Sequence, residues 1–344
     1  MNKQHELYRE DILQILSTKG LNQLFGKTIL VTGATGMLGM HLIDAFMAIG
    51  DINVIAVGRS RKNAEKRLGE YFSSDKFLFI EQDVCSPLPK HLKVDYIIPL
   101  ASNTHPLAYS QYPFETLMTN ILGTKYALEK SIECDATLLY PSTVEIYGNA
   151  RDEDVFDEDY TGNLNLSNSR ACYPESKRVC EAMCQSYISE YGAKVKIVRL
   201  SRIFGPTMLL SDSKASSQFI LKSMNNEDIV LKSNGQQFFS YTYVTDAVCA
   251  ILFVLFYGVV GLPYNISNER CNIRLKDFAA ICAGACGCEV VFELPSNAEL
   301  QGYSIAQHAI LDNTRICNLG WEPKYEMSEA ICRTIKILQS DYLR

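Results

Sequence analysis

Thr32-Gly33-Ala34-Thr35-Gly36-Met37-Leu38-Gly39 stands where an apolar run, 27–32 (KTILVT), gives way to a stretch of helical periodicity over 37–49. Glycines in such a turn let the chain bend tightly and bring backbone N–H groups close to a bound group. The helix that follows adds the partial positive charge of its N-terminus, so the pattern predicts a pyrophosphate site. Its candidate contacts are Gly33, Thr35, Gly36, Met37, Leu38 and Gly39. Three glycines also occur in purely structural turns. The strand before and the helix after set this one apart.

Outward from that turn, further strands are expected at 53–57 (NVIAV), 77–80 (FLFI), 94–100 (VDYIIPL), 137–140 and 195–200. Helical stretches lie between most of them, at 63–71, 113–133 and 175–191. Strands apolar on both faces that alternate with helices predict a parallel sheet covered on both sides. The fold class is therefore α/β, a Rossmann-type doubly wound parallel sheet with a smaller C-terminal α/β substrate-binding subdomain. Residues 1–25 read as an N-terminal amphipathic helix, carried by Leu7, Ile12, Leu13, Ile15, Leu16, Leu21 and Leu24. Residues 26–200 are assigned to the dinucleotide-binding domain, to which 241–261 return. The shorter, less regular segments 201–240 and 262–344, with loops at 207–217 and 232–240, are assigned to the substrate-binding subdomain. The apolar run 247–260 is too short to span a bilayer and reads as a buried helix capped near Thr245 or Asp246.

The chain has 344 residues, 47% of them hydrophobic and 21% charged, which is ordinary globular usage and enough for a full core. Its 33 basic and 39 acidic residues leave a formal charge of −6, which argues against a nucleic-acid or anionic-membrane surface. The 12 cysteines cluster most closely at Cys180/Cys184 and Cys282/Cys286/Cys288, with no C-x-x-C pair and histidines at zinc spacing. Reduced, mostly buried thiols in a cytoplasmic protein without a metal are expected. The first ten residues are polar and charged, so no signal peptide is expected.

The end of the second strand reads on cofactor choice. A carboxylate there would hold the ribose 2′-OH of NAD, but the sequence offers Gly58-Arg59-Ser60-Arg61. Arg59 can accept a 2′-phosphate, so NADP is favoured, with NAD as the second option; solvated loop arginines are the bland reading. Asp83 and Val84, after the third strand, fall where they can meet the adenine edge.

Tyr173-Pro174-Glu175-Ser176-Lys177 sets a tyrosine and a lysine on one face at the start of a helix. A nearby ammonium would lower the phenol's pKa, so that it could exchange a proton with a sugar hydroxyl while a hydride moves. Such a pair also occurs by chance in many helices. Upstream, Ser142-Thr143-Val144-Glu145 follows the fifth strand, where loops at the carboxyl ends form the site. Thr143 can hydrogen-bond the reacting oxygen, and Glu145 can act as acid or base on a neighbouring carbon. Taken alone, Glu145 would be a helix cap or a surface carboxylate.

Together, TGATGMLG, STVEIYG (142–148) and YPESK resemble the extended short-chain dehydrogenase/reductase family, the NAD-dependent epimerase/dehydratase type that modifies nucleotide sugars. The similarity runs from about residue 27 to 338 and includes TNILGT (119–124), IFGPTM (203–208), YTYVTDAV (241–248) and LPYNISNE (262–269). The resemblance implies that Tyr173 is the catalytic acid/base and that Lys177 holds the nicotinamide ribose. It further implies that Thr143 positions the substrate, that Asn120 supports the site from its helix, and that Ala101 joins the cofactor-binding set. It also implies a homodimer through a four-helix interface built on 113–133 and 175–191. Three departures stand out. Val144 replaces the Asp of many 4,6-dehydratases, Phe239 stands where an Arg usually meets the substrate diphosphate, and Arg202 stands in place of an Asn. Arg202 or Lys214 could then supply the phosphate contacts, although both could equally be solvated surface charges.

The leading expectation is an enzyme that moves a hydride at a carbon of a nucleotide-activated sugar in a redox-neutral epimerase, dehydratase or decarboxylase cycle; the resemblance implies a place in polysaccharide synthesis. Thr143 with Glu145 favours it. The alternative is an NADPH-dependent reductase of a nucleotide-activated keto sugar or ketose, such as a CDP-ketose to a CDP-alditol, favoured by Arg59 and the missing Asp. A binding protein without catalysis is disfavoured, because both Tyr173 and Lys177 are present.

Overall fold

The computed structural model describes residues 2–104, 106–150, 155–293 and 307–342. Met1 of the N-terminal assignment, and 294–306 and 343–344 of the substrate-subdomain assignment, lie outside the described residues.

Along the chain the strands are β1 (Thr28–Thr32), β2 (Asn53–Gly58), β3 (Phe77–Glu81), β4 (Tyr96–Pro99), β5 (Thr137–Thr143), β6 (Val155–Phe156) and β7 (Lys194–Leu200). They continue as β8 (Arg202–Phe204), β9 (Ile229–Leu231), β10 (Phe238–Tyr243), β11 (Pro263–Ile266), β12 (Asn272–Arg274), β13 (Val290–Phe292) and β14 (His308–Leu311). The helices are α1 (Glu6–Leu16), α2 (Met37–Ile49), α3 (Arg61–Leu68), α4 (Pro106–Gln111), α5 (Pro113–Cys134) and α6 (Cys172–Tyr191). After them come α7 (Ala215–Met224), α8 (Val244–Tyr257), α9 (Leu275–Cys286), α10 (Thr314–Cys317) and α11 (Met327–Tyr342).

Ile29, Leu30 and Val31 have no exposure on either face of β1, which is what a central strand between two helical layers requires. The seven-stranded sheet runs β11-β7-β5-β4-β1-β2-β3, and every pairing in it is parallel. From β1 the chain winds outward through β2 to β3, then returns to the other side of β1 with β4 and continues to β5 and β7. The winding reverses between β1 and β4, and a crevice opens there at the carboxyl ends of the strands. One face of the sheet packs Ile15, Phe46, Val248 and Ile251 from α1, α2 and α8. The opposite face packs Ala127 and Leu128 from α5 and Cys180 and Cys184 from α6.

A second sheet, with the path β12-β10-β14-β6 and β8 beside β10, anchors the smaller lobe. Its core is built on Phe204, Phe219, Tyr241 and Phe278, closed by Ile331 and Ile335 of α11. The two lobes share α1. Asp11 on that helix is fully buried and accepts hydrogen bonds from Tyr243 Oη (2.6 Å), Tyr325 Oη (3.0 Å) and Arg333 Nη2 (2.9 Å).

Two expectations need correction. Residues 263–266 do not belong with the smaller lobe: β11 pairs with β7 at the edge of the large sheet, from Pro263↔Ile197 to Ile266↔Leu200. The buried helix begins at Val244 with Tyr243 as its N-cap and no side-chain capping bond. Asp246 instead accepts from the backbone N–H groups of Lys324 (3.0 Å) and Tyr325 (3.2 Å), tying α8 to the chain ahead of α11. All twelve cysteines are free thiols. No helix among the described residues is long and apolar enough to cross a membrane.

Candidate active site

One cavity of about 1630 Å³ opens along the crevice between β1 and β4 and extends under the smaller lobe. At one end lies the glycine-rich turn. Gly33 has φ +63°, and a Cβ there would sit 2.7 Å from the backbone N of Ala101, so only glycine allows β4 and its loop to come this close. A Cβ on Gly39 would meet the carbonyl oxygen of Gly33 at 2.5 Å. Gly36 caps the thirteen-residue α2 without any side-chain bond, so the helix N-terminus presents its N–H groups to the cavity. This cradle fits the diphosphate of a dinucleotide.

The sequence candidates converge on that cavity. Gly33, Thr35, Gly36, Met37, Leu38 and Gly39 line the turn. Arg59, Asp83, Val84 and Ala101 line the neighbouring wall, and Thr143, Glu145, Tyr173, Arg202 and Lys214 line the remainder. Asn120 and Lys177 are the exceptions. Asn120 lies between α5 and α6, where its Nδ2 donates to Ser176 Oγ at 2.8 Å and so holds the helix that carries Tyr173. Lys177 is buried behind the wall; its Nζ donates to the carbonyl of Pro141 at 2.8 Å and lies 5.0 Å from the centre of the Tyr140 ring. Burial pushes the pKa of this ammonium down.

The local sequence explains how the reactive groups meet. β5 ends at Thr143, whose Oγ1 accepts from the N–H of Glu145 (3.3 Å) and starts a single 3₁₀ turn, Val144–Tyr147. That turn directs Glu145 into the cavity. Tyr173 lies in the first turn of α6, facing the same space. Ser142 also lines it; its Oγ is buried with no hydrogen-bond partner among the described residues, as a group reserved for a ligand would be.

Residues that the sequence reading missed complete the picture. Arg170, from the irregular segment before α6, brings Nη2 to 3.9 Å from Glu145 Oε1. Arg170, Glu145 and Arg202 also border a side cavity of about 80 Å³ with Asn149, Asn165 and Asn168. The candidate phosphate cations are both engaged. The Arg202 guanidinium lies 3.5 Å from the centre of the Phe239 ring, and Lys214 Nζ is 3.4 Å from Asp212 Oδ2. Arg59 is also paired, with Nη1 at 3.2 Å from Glu115 Oε1. No signal in the local sequence around Arg170 or Glu115 could have revealed these partners. Among the described residues no group of His, Cys, Asp and Glu is arranged to hold a metal.

The model of the NAD dependent epimerase/dehydratase family matches residues 29–267. The chain belongs to that family. Like its relatives it is an enzyme, and the match takes in the glycine turn, Thr143, Glu145, Tyr173 and Lys177. UDP-glucuronic acid decarboxylase 1 of Xenopus tropicalis is 32% identical to it over 329 residues, covering 94% of this chain and 75% of the relative. Among solved structures, UDP-glucose 4-epimerase of Thermotoga maritima superposes with a TM-score of 0.78 at 23% identity, covering 92% of this chain and 100% of the other. UDP-glucuronic acid 4-epimerase of Bacillus cereus, solved with UDP-glucuronic acid and NAD, gives a TM-score of 0.78 at 19% identity, covering 92% and 100%. At such identities the two structures show the shared fold.

Proposed function

We propose that this family member converts a nucleotide-activated sugar without net redox change, with a UDP-hexuronic acid as the first substrate class and loss of its carboxyl group as CO₂ as the net reaction. The observation that carries it is the Glu145–Arg170 pair beside Thr143 and Tyr173, in a cavity that also holds the dinucleotide cradle. A bound nicotinamide would supply the transient two-electron acceptor and return those electrons at the end of the cycle.

Tyr173 takes the proton of the reacting sugar hydroxyl, and Thr143 donates a hydrogen bond to its oxygen. Oxidation at that carbon makes the carboxyl on the next carbon a β-keto acid, whose C–C bond breaks to release CO₂ and leave an enolate. Thr143 and Tyr173 stabilise the enolate oxygen. Glu145 delivers the proton that the carbon takes up, and Tyr173 returns its own. Lys177 keeps the α6 turn locked against β5 through Pro141, and Arg170 offers a cation to the departing carboxylate. Arg202 and Lys214, at the smaller-lobe end, meet the nucleotide diphosphate. The cofactor is NAD or NADP, with Arg59 as the group that would meet a 2′-phosphate.

The relatives named above are a decarboxylase and two epimerases, so net reduction has no support from them. Incubation of the purified protein with UDP-glucuronic acid and a trace of NAD should release carbon dioxide and a UDP-pentose in large excess over the NAD added. Stoichiometric consumption of added NADPH would exclude the cycle. We also propose a cytoplasmic homodimer through α5 and α6, on which Ile132, Val179 and Tyr191 leave apolar surface in solvent. A monomer in sedimentation at micromolar concentration would count against it.

A further inference from the structure

The sequence offers Arg59 as a cation for a 2′-phosphate, but the fold gives it a carboxylate. It follows the carboxyl end of β2, and Glu115 stands in the first turn of α5, two residues after Pro113. Arg59 lines the cavity beside Gly58, Asp83, Val84 and Thr119, and its Nη1 donates to Glu115 Oε1 at 3.2 Å. The other charges nearby are committed elsewhere. Arg61 Nε bonds Glu65 at 3.1 Å, and its guanidinium lies 5.1 Å from the centre of the Phe72 ring. Glu81 accepts from the Arg61 backbone N–H (2.9 Å), and Asp83 from that of Cys85 (2.8 Å). Arg59 is thus the cation at this end, and Glu115 is the carboxylate that holds it.

A phosphate monoester carries about −1.5 to −2 charge at neutral pH. To use Arg59, a 2′-phosphate must displace Glu115 and then remain beside a like charge. A 2′-hydroxyl carries no such penalty.

We propose that Glu115 is a cofactor-specificity residue, which neutralises Arg59 and so brings NAD and NADP to comparable affinity where Arg59 alone would select NADP. This rests on the reading of the cavity as a dinucleotide site. Both side chains are more than half exposed, so replacing either costs the fold little.

The test compares binding of 5′-AMP and adenosine 2′,5′-bisphosphate to the full chain by titration calorimetry, which needs no turnover. Wild type should bind the two within about threefold of each other. Glu115→Gln should tighten the bisphosphate roughly fivefold, the factor one nearby charge is worth in a water-exposed site, and leave 5′-AMP within about twofold. With Arg59→Ala in place, Glu115→Gln should tighten the bisphosphate by less than about twofold, the part due to direct repulsion alone. An unchanged ratio in Glu115→Gln, or the same shift with Arg59 absent, overturns the specificity role while leaving the dinucleotide site standing. Failure of both nucleotides to bind overturns the site itself, and the proposal with it.

Discussion

Arg202 lies over the ring of Phe239, guanidinium carbon to ring centre 3.5 Å, and both side chains line the active-site cavity. They are two of the three positions at which the resemblance read from the sequence implies a departure, an Arg where an Asn is usual and a Phe where an Arg is usual. On the proposed reading the diphosphate cation sits on the neighbouring strand β8, where the Phe239 ring holds it in position. Arg202→Ala should therefore raise KM for the nucleotide sugar about tenfold, as loss of a charge-assisted contact does, with little change in kcat. Phe239→Arg in the same background should restore much of the affinity. Initial-rate kinetics on the three proteins would check both, and a fall in kcat with constant KM would assign Arg202 to the chemistry instead.

Gly39→Ala asks whether the cradle tolerates a single methyl. Its Cβ would come within 2.5 Å of a backbone oxygen that cannot move without distorting the turn. Destabilisation by about 1–3 kcal/mol is expected, together with loss of the thermal shift that NAD gives the wild type. A retained shift would show that the diphosphate does not use this turn.

Tyr173→Phe removes one oxygen and leaves the packing of α6 intact. Turnover should drop by about 10²–10⁴, with an unchanged melting temperature. Glu145→Gln should behave differently: the first oxidation proceeds and the protonation fails, so that reduced cofactor accumulates after substrate is added. No absorbance change in Glu145→Gln, with Tyr173 intact, would move Glu145 out of the proton-transfer role.

Asp246 gives a pH signature. Burial raises its carboxyl from 3.8 to about 6. The folded state thus binds the proton more tightly than the unfolded one, so the stabilising contribution is fully present below pH 3.8 and is lost as pH rises through about 6. Between about pH 4 and about pH 7, wild type should lose about 2–3 kcal/mol relative to Asp246→Asn. Urea denaturation of both proteins across that range would measure it. Parallel pH profiles would mean that Asp246 does not titrate in this window.

Local patterns in the sequence went far. The central strands show as apolar on both faces, α2 has the bounds its periodicity predicts, and Thr143, Glu145 and Tyr173 fall at strand and helix ends that face one cavity. What escaped depends on distant partners. β11 pairs with β7, more than sixty residues earlier, and a four-residue strand next to a buried helix carries no mark of its sheet. Asp246 reads as a cap in the sequence because Ser, Thr and Asp near a helix start usually are; its partners Lys324 and Tyr325 lie 78 and 79 residues on. Arg170 comes from a stretch without periodicity, so only the folded chain brings it to Glu145. Lys177 shares its helix face with Tyr173 as the spacing required, yet its ammonium turns inward to Pro141.

Asp11 has a practical implication for anyone recombining this enzyme with its relatives. Two tyrosines and an arginine from the C-terminal half converge on a carboxylate supplied by the first helix, ahead of the region that the family pattern covers. A chimaera that swaps the C-terminal lobe but keeps a foreign amino-terminal helix would strand Arg333 without its buried counter-ion, leaving only the exposed Glu329 on its own helix. The exchangeable unit is therefore discontinuous, and α1 must travel with α11.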